Sequence, residues 1–157
     1  TMNVDPDAEQ LAAITEACMD LVRQFGVKPK VALLSHSNFG TSNAPSAKKV
    51  RAAAAILRET HSDIQIDGEM HVLSALNPAL RKTVYPQSNL SGRANVLVMP
   101  GLQAANISAK LLRELGGDSM IGPILIGMEK PVQIAPMTAI APDVLTLAVL
   151  AAAGIAG

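Results

Sequence analysis

Apolar residues recur along this chain at two spacings, and their alternation predicts helices interleaved with short strands. The clearest helical stripe follows Asp5-Pro6-Asp7 and ends before Gly26; its members are Leu11, Ile14, Cys18, Leu21, Val22 and Phe25. A proline in the first turn and a glycine after the last turn are typical helix boundaries. The same spacing predicts helices over residues 48–60, from about 70 to 82, over residues 102–115 and from Pro142 onward.

Short apolar runs lie between these helices and predict five strands. They cover residues 31–34, 64–66, 95–99, 120–126 and 132–134. Strands that alternate with helices indicate a mostly parallel sheet with helices on both faces. We therefore predict a three-layer α/β/α fold, with residues 1–157 as one domain. Ligands of such sheets bind beyond the carboxyl ends of the strands, which here are followed by three predicted loops: residues 35–43, 67–69 and 100–106.

Composition and charge exclude several classes of partner. Thirteen basic and thirteen acidic side chains cancel, and only Phe25, Phe39 and Tyr85 are aromatic. Neither a basic face nor a stacking surface for nucleic acid is therefore predicted. Cys18 is the single cysteine, which excludes an internal disulfide and is typical of a reducing cytoplasm. The longest apolar stretch, residues 144–153, is about half as long as the ~20 residues of a membrane span, so no membrane partner is predicted.

The first loop has the composition of an anion site. It offers Ser35, Asn38 and several backbone amides ahead of a helix, and free N–H groups at a helix start favour a bound phosphate. The alternative is an ordinary turn whose small polar side chains satisfy their own backbone. The chain contains neither the Gly-Lys-Ser/Thr ending of a P-loop nor a GxGxxG motif.

Two carboxylates stand together in Asp67-Gly68-Glu69, after a predicted strand. They suit an acid–base pair or a divalent ion. Because no third ligand lies nearby in the sequence, we favour the alternative that one carboxylate caps the next helix and the glycine makes the turn. The histidines have no metal-type spacing, although His36 and His71 follow predicted strands and could contact a ligand. Without a GxSxG motif, no catalytic residue and no metal site are predicted.

Five blocks of the chain resemble, in order and spacing, the phosphate acetyltransferase (phosphotransacetylase) family. They are Ser35-His-Ser-Asn-Phe-Gly-Thr41, Ile66-Asp-Gly-Glu-Met70, Gly92-Arg-Ala-Asn-Val-Leu-Val-Met-Pro100, Ala104-Ala-Asn-Ile-Ser-Ala-Lys-Leu-Leu112 and Ile121-Gly-Pro-Ile-Leu-Ile-Gly-Met-Glu-Lys-Pro131. The resemblance covers residues 30–148 and corresponds to the C-terminal half of that family. Within it, the first two blocks are most similar to the phosphotransacetylase-like tail domain of bacterial NADP-dependent malic enzymes.

The chain departs from the active members of the family at three positions. Phe39 stands where they usually carry a lysine, and their Ser-Arg pair aligns with Pro136 and Met137, while their aspartate remains as Asp143. An arginine holds an acyl phosphate with a planar charged fork, and a serine hydrogen-bonds the reacting group. Proline and methionine offer neither contact. The resemblance therefore implies that efficient acyl transfer is lost and that this domain has no catalytic residue.

What the resemblance implies instead is a regulatory domain. It would bind acetyl-CoA or a related acyl-CoA, form homo-oligomers and serve the N-terminal malic-enzyme domains, where NADP and a divalent metal are expected; no cofactor is expected in this domain. The implied ligand contacts are Ser35, Asn38, Asn106, Lys130, Met137 and Asp143. One alternative is a catalytic phosphate acetyltransferase that uses Arg81, Arg93 or a partner's residue as the missing basic group. Another is a pure dimerisation module.

Overall fold

The protein is described by a computed structural model that covers residues 3–116 and 120–154. Within these residues the chain forms six helices and three strands. In chain order they are α1 (Ala8–Gln24), β1 (Lys30–Leu34), α2 (Pro45–Thr60), β2 (Gln65–Met70), α3 (Val72–Leu76), α4 (Pro78–Val84), β3 (Val96–Val98), α5 (Leu102–Gly116) and α6 (Ala141–Ala152). None of the described helices is both long and apolar enough to cross a membrane.

The three strands form one parallel sheet with β1 at its centre. The strand order is β2-β1-β3, and Val31 of β1 lies opposite Ile66 of β2 and Val96 of β3. Residues 31–34 are all buried, as the continuous apolar run predicts for a strand covered on both faces. The carboxyl ends of the strands therefore meet at one edge of the sheet, and this edge carries the loop that follows β1.

Alternate residues of β1 face two different apolar layers. Val31 and Leu33 belong to a core that they share with α1 and α2, whereas Ala32 and Leu34 belong to a second cluster on the other face with Ala75 of α3. This alternation follows from the two-residue repeat of a strand. Helices cover both faces of the sheet, which confirms the predicted three-layer α/β/α arrangement.

Two boundaries in the middle of the chain differ from prediction. Strand β2 continues through Asp67-Gly68-Glu69 to Met70, so the predicted loop of residues 67–69 is part of the sheet. The single helix predicted from about residue 70 to 82 is two helices that meet at Asn77. Pro78 causes this break because it lacks an N–H donor and disfavours a helical conformation at the preceding residue. The side chain of Asn77 caps the second helix by accepting from Leu80 N at 3.0 Å.

The predicted strands over residues 120–126 and 132–134 are wrong. Both segments are irregular, and their hydrogen bonds include two between the Gln133 side chain and the backbone of Leu125. The segment between α5 and α6 is interrupted by Gly122-Pro123, Gly127 and Pro131, and prolines remove donors that a ladder requires. Ile121 and Ile134 remain 58% and 56% exposed, whereas Ile124, Leu125 and Ile126 are half-buried.

Candidate ligand site at the carboxyl edge of the sheet

The loop after β1 closes around the side chain of Glu69, which has no exposed surface. Ser37 Oγ donates to Glu69 Oε1 at 2.7 Å, and the amide of Gly40 donates to the same oxygen at 3.0 Å. Arg51, on the helix that follows the loop, donates from Nε to Oε2 and from Nη2 to Oε1, both at 2.8 Å. The carboxylate thus joins β2, the loop and α2.

These donors decide the charge of Glu69. Burial by itself raises the pKa of this carboxyl, but hydrogen bonds from Arg51, Ser37 and Gly40 outweigh burial and lower the pKa to about 2. Glu69 is therefore ionised at neutral pH and only accepts hydrogen bonds. It serves to position the loop and is unsuited to exchange a proton as a general acid or base.

Most backbone amides of the first loop are already bonded. Those of Ser35 and Phe39 donate to the backbone of Met70 and Glu69, and others donate to hydroxyls or carbonyls within the loop. Among the described residues, only the amides of His36 and Asn43 lack an acceptor within residues 35–44. This pattern agrees with the alternative of a self-satisfied turn. The place that an external anion would take is filled by the carboxylate of Glu69.

Asp67 is the second buried carboxylate of β2. It accepts from Arg58 Nη1 at 3.1 Å, from Ser88 Oγ at 2.7 Å and from the amide of Asn89 at 2.8 Å. Neither Asp67 nor Glu69 caps α3, whose first turn has no side-chain cap, so the capping interpretation is wrong. Nor do the described residues contain a group of three His, Cys, Asp or Glu side chains able to hold a metal ion.

The structure places two of the predicted contact residues in the first loop and gives both of them internal partners. Asn38 is buried, and its Oδ1 accepts from the amide of His71 at 2.8 Å and from Ser74 Oγ at 3.0 Å. Ser35 is half-buried, and its Oγ accepts from the amide of Ser37 at 3.3 Å. Both side chains therefore support the conformation of the loop.

The other four predicted contacts lie on the C-terminal elements. Asn106 is exposed on α5, and Lys130 and Met137 are exposed between α5 and α6. The carboxylate of Asp143 accepts from the amide of Ile140 at 3.0 Å in the first turn of α6. Across the described residues, no hydrogen bond or ion pair joins these four side chains to the first loop, so their contact with a common ligand stays a prediction.

The two arginines considered as replacements for the missing basic group differ sharply. Arg81 is buried and donates to four carbonyls, those of Ser74, Ala75, Leu90 and Gly92. Its N–H groups are thereby occupied with the backbone, whereas Arg93 is exposed.

The arginine beside the loop is Arg51, which the sequence analysis did not single out. A signal for it exists in the sequence. Arg51 and Arg58 are seven residues apart, so they share one face of a helix, and Asp67 and Glu69 are two residues apart on the adjacent strand.

A cleft of about 420 Å³ lies at the same edge, outside the ends of β1 and β3. The residues before α1 form one wall: the carbonyl of Val4 accepts from the amide of Leu102 at 3.0 Å, and Asp5 pairs with Lys49 at 2.5 Å. The start of α5 forms another wall with Gly101 and Gln103. The chain runs from β1 to β2 on one side of β1 and then returns to β3 on the other side, so the strand order reverses at β1. Parallel α/β sheets bind ligands in the crevice at such a reversal.

The fold defines an α/β protein with a cleft beyond the ends of its parallel strands, and comparison with known proteins identifies the family. The model of the family described as Phosphate acetyl/butaryl transferase matches residues 1–152. The chain belongs to this family, which confirms the resemblance stated above.

The relatives include proteins of both kinds that the sequence resembles. The NADP-dependent malic enzyme of Escherichia coli (strain K12) is 49% identical over 85% of this chain and 18% of its own length. The phosphate acetyltransferase of Paracoccus denitrificans is 42% identical over 82% of the chain and 41% of its length. A solved phosphotransacetylase from Streptococcus pyogenes superposes with a TM-score of 0.91 at 37% identity, over 98% of this chain and 46% of its own. The chain thus spans less than half of each relative.

Proposed function

We propose that this chain is the regulatory and assembly domain of an NADP-dependent malic enzyme. In this proposal the domain binds acetyl-CoA or a related acyl-CoA and helps to join subunits of a cytoplasmic enzyme that oxidatively decarboxylates malate to pyruvate. The chemistry on malate, with NADP and a divalent metal, belongs to the N-terminal malic-enzyme domains. Similarity to malic enzymes supports this assignment.

The observation that carries the regulatory role is the side chain at position 137. Where active phosphotransacetylases have an arginine, this chain has Met137, which is fully exposed and offers no hydrogen-bond donor. Pro136 replaces the adjacent serine. Removing one preorganised group of this kind commonly costs about 10² or more in rate, whereas binding through apolar contacts is retained.

The replacement of the usual lysine by Phe39 agrees with this view. The Phe39 ring packs against the second apolar cluster and lies 5.0 Å, centroid to centroid, from the ring of Tyr85. A phenylalanine held in this way adds apolar contact and no positive charge. Residues 35–43 themselves contain no lysine or arginine, so the loop supplies no positively charged donor of its own to an acyl phosphate.

The assembly role is supported by the apolar surface of α5. Ile107, Leu111, Leu112 and Leu115 are between 53% and 82% exposed, and none of the described residues of α5 is buried. Spacings of three and four residues place these side chains on one side of the helix. A continuous apolar stripe of this kind marks a protein–protein contact, which the proposal assigns to the rest of the malic enzyme or to a second subunit.

Calorimetric titration with acetyl-CoA, CoA and acetyl phosphate tests the proposal. We expect saturable acetyl-CoA binding that is lost in a Met137→Glu variant, because a carboxylate there repels the anionic ligand. Met128→Glu is the matched control, since Met128 is an exposed methionine in the same segment. Formation of acetyl phosphate from acetyl-CoA and phosphate would support the catalytic alternative. Absence of acyl-CoA binding together with dimer formation would support the pure assembly module.

A further inference from the structure

One amino group of Arg51 remains free after its contacts with Glu69. A guanidinium has five N–H donors; Nε and Nη2 serve Glu69, and Nη2 also donates to the carbonyl of Ser42 at 2.9 Å. Nη1 has no acceptor among the described residues. Because none of the buried side-chain nitrogen and oxygen atoms of these residues lacks a partner, Nη1 must reach the surface. The Arg51 side chain is 35% exposed.

The surroundings of Nη1 favour a negative ligand. Lys48 precedes Arg51 by three residues, so it lies on the same face of α2 one turn closer to the loop. Lys48 is exposed and has no ion-pair partner among the described residues. The amide of Asn43, which lacks an acceptor, precedes the same helix end, where the helix dipole is positive. Among the described residues, Glu69 is the one carboxylate paired with either Lys48 or Arg51, so one of these two positive charges has no ion-pair partner there.

From this geometry we infer that Arg51 binds a phosphate group of the ligand through Nη1, with Lys48 as the second positive group. The inference rests on the proposed acyl-CoA binding and specifies the residue that would recognise its phosphate. Glu69 holds the guanidinium in a fixed plane from the protein interior, so little side-chain freedom is lost when an anion binds. Arg51 would thus replace the basic residues that active phosphotransacetylases carry at positions 39 and 137. It lies on α2, whereas Phe39 lies in the first loop and Met137 lies between α5 and α6.

The chain contains a matched control for this test. Arg58 lies two turns further along α2 and also pairs with a buried carboxylate, donating from Nη1 to Asp67 Oδ1 at 3.1 Å; both arginine side chains are 35% exposed. Arg51→Lys and Arg58→Lys therefore perturb the same kind of ion pair, but only Arg51 adjoins the first loop. Each variant is titrated with acetyl-CoA and, separately, with inorganic phosphate, and the melting temperature of each is recorded.

We expect Arg51→Lys to weaken the binding of both ligands about tenfold or more, because lysine lacks the second donor edge. Arg58→Lys should bind both ligands as the wild type does, whatever its melting temperature. If Arg51→Lys does not fold, the double variant Arg51→Gln/Glu69→Gln removes both charges together and leaves no unpaired buried carboxylate. This double variant should fold, and it should bind acetyl-CoA and phosphate more weakly than the wild type does.

The outcomes separate this inference from the proposed function. Equal affinities for the Arg51 and Arg58 variants, with acetyl-CoA still bound, overturn the role of Arg51 and leave acyl-CoA binding intact. Phosphate binding that depends on Arg51, without any acetyl-CoA binding, supports the anion site and contradicts the proposed function. A wild-type chain that binds neither ligand contradicts both.

Discussion

Replacing Glu69 by glutamine tests whether the carboxylate holds the first loop in place. The change preserves the size of the side chain and one carbonyl oxygen. It removes the negative charge to which Arg51, Ser37 and Gly40 donate hydrogen bonds. Arg51 then loses its counter-ion. The glutamine also has an NH₂ group in place of one carboxylate oxygen, so one of the arginine N–H groups faces another donor. Breaking an ion pair on its buried side is strongly destabilising, because the partner charge remains without compensation.

The magnitude follows from the pKa of Glu69. Its pKa lies at about 2 in the folded chain against an ordinary value of 4.5, and each pKa unit corresponds to about 1.36 kcal/mol of differential interaction. The ionised form therefore stabilises the fold by about 3 kcal/mol. Because the folded pKa is depressed, this contribution is complete above pH 4.5 and is lost as the pH falls from 4.5 towards 2.

Urea unfolding of the wild type and of Glu69→Gln at several pH values measures this contribution. At pH 7 we expect the variant to be less stable by about 3 kcal/mol, and we expect the difference to shrink as the pH falls towards 2. Arg23→Gln, which removes an exposed i,i+3 pair with Asp20, is the control and should change the free energy of unfolding by less than about 1 kcal/mol. A Glu69→Gln difference below 1 kcal/mol, or one independent of pH, would refute the reasoning.

Three further predictions concern residues around this site and in the core. A Gly68→Ala variant should lose about 3 kcal/mol in urea unfolding, because its Cβ would lie 2.7 Å from the carbonyl oxygen of Leu33 and its φ is +148°; a loss below about 1 kcal/mol would contradict this. Asn38→Ala should cost about 1–3 kcal/mol in the same assay by leaving the Ser74 hydroxyl and a backbone amide unpaired, and Asn38→Asp should cost less. Burial raises the pKa of the Cys18 thiol, so iodoacetamide at pH 8 should react more slowly with the folded chain than with the chain in urea; equal rates would show that the thiol is accessible.

The elements that the sequence predicts well are those whose burial is local. The existence of helix α1 and strand β1 follows from apolar spacing, and β1 buries its apolar run as predicted. Of the apolar stripe predicted for α1 only Leu11 is buried; the other buried residues of the helix are Ala12, Thr15 and Met19, and Phe25 is exposed. The extension of β2 could not be predicted in this way. Asp67-Gly68-Glu69 has the composition of a turn, but in the buried strand its two carboxylates are paired with Arg51 and Arg58 of α2 and accept further hydrogen bonds from Ser37 and Ser88. The turn composition is outweighed here by contacts between a strand and a helix, and such contacts leave no pattern in the local sequence.

The wrongly predicted strands within residues 120–134 show that an apolar run does not by itself specify a strand. Their apolar residues predict burial, but burial alone does not specify a partner or a backbone conformation. Ile121 and Val132 remain 58% and 45% exposed, and the sheet order of the described residues includes no strand beyond β3 on its outer side.

The sequence predicts where Ser35 and Asn38 lie better than it predicts what their side chains bind. The polar composition of the first loop led to Ser35 and Asn38, and the structure places both at the carboxyl edge of the sheet. Their oxygens bond to the backbone of the loop and of the residues after β2, a use that composition does not distinguish from ligand binding. Arg51 was missed because a basic residue within a helix usually has a solvated side chain, and only the buried partner Glu69 reveals its orientation.

The site therefore has two parts that respond differently to substitution. Glu69, Ser37 and Asn38 are buried and hydrogen-bonded to each other's elements, so changing any of them lowers the stability of the fold whether or not a reaction takes place. Met137 is fully exposed, so stability places little constraint on its identity. In this chain the polar residues of the first loop therefore have a structural role that does not depend on activity. Under the proposed function, the half-buried Pro136 and the exposed Met137 are the positions that decide between catalysis and binding, so substitutions there and at Arg51 give the most direct test of function.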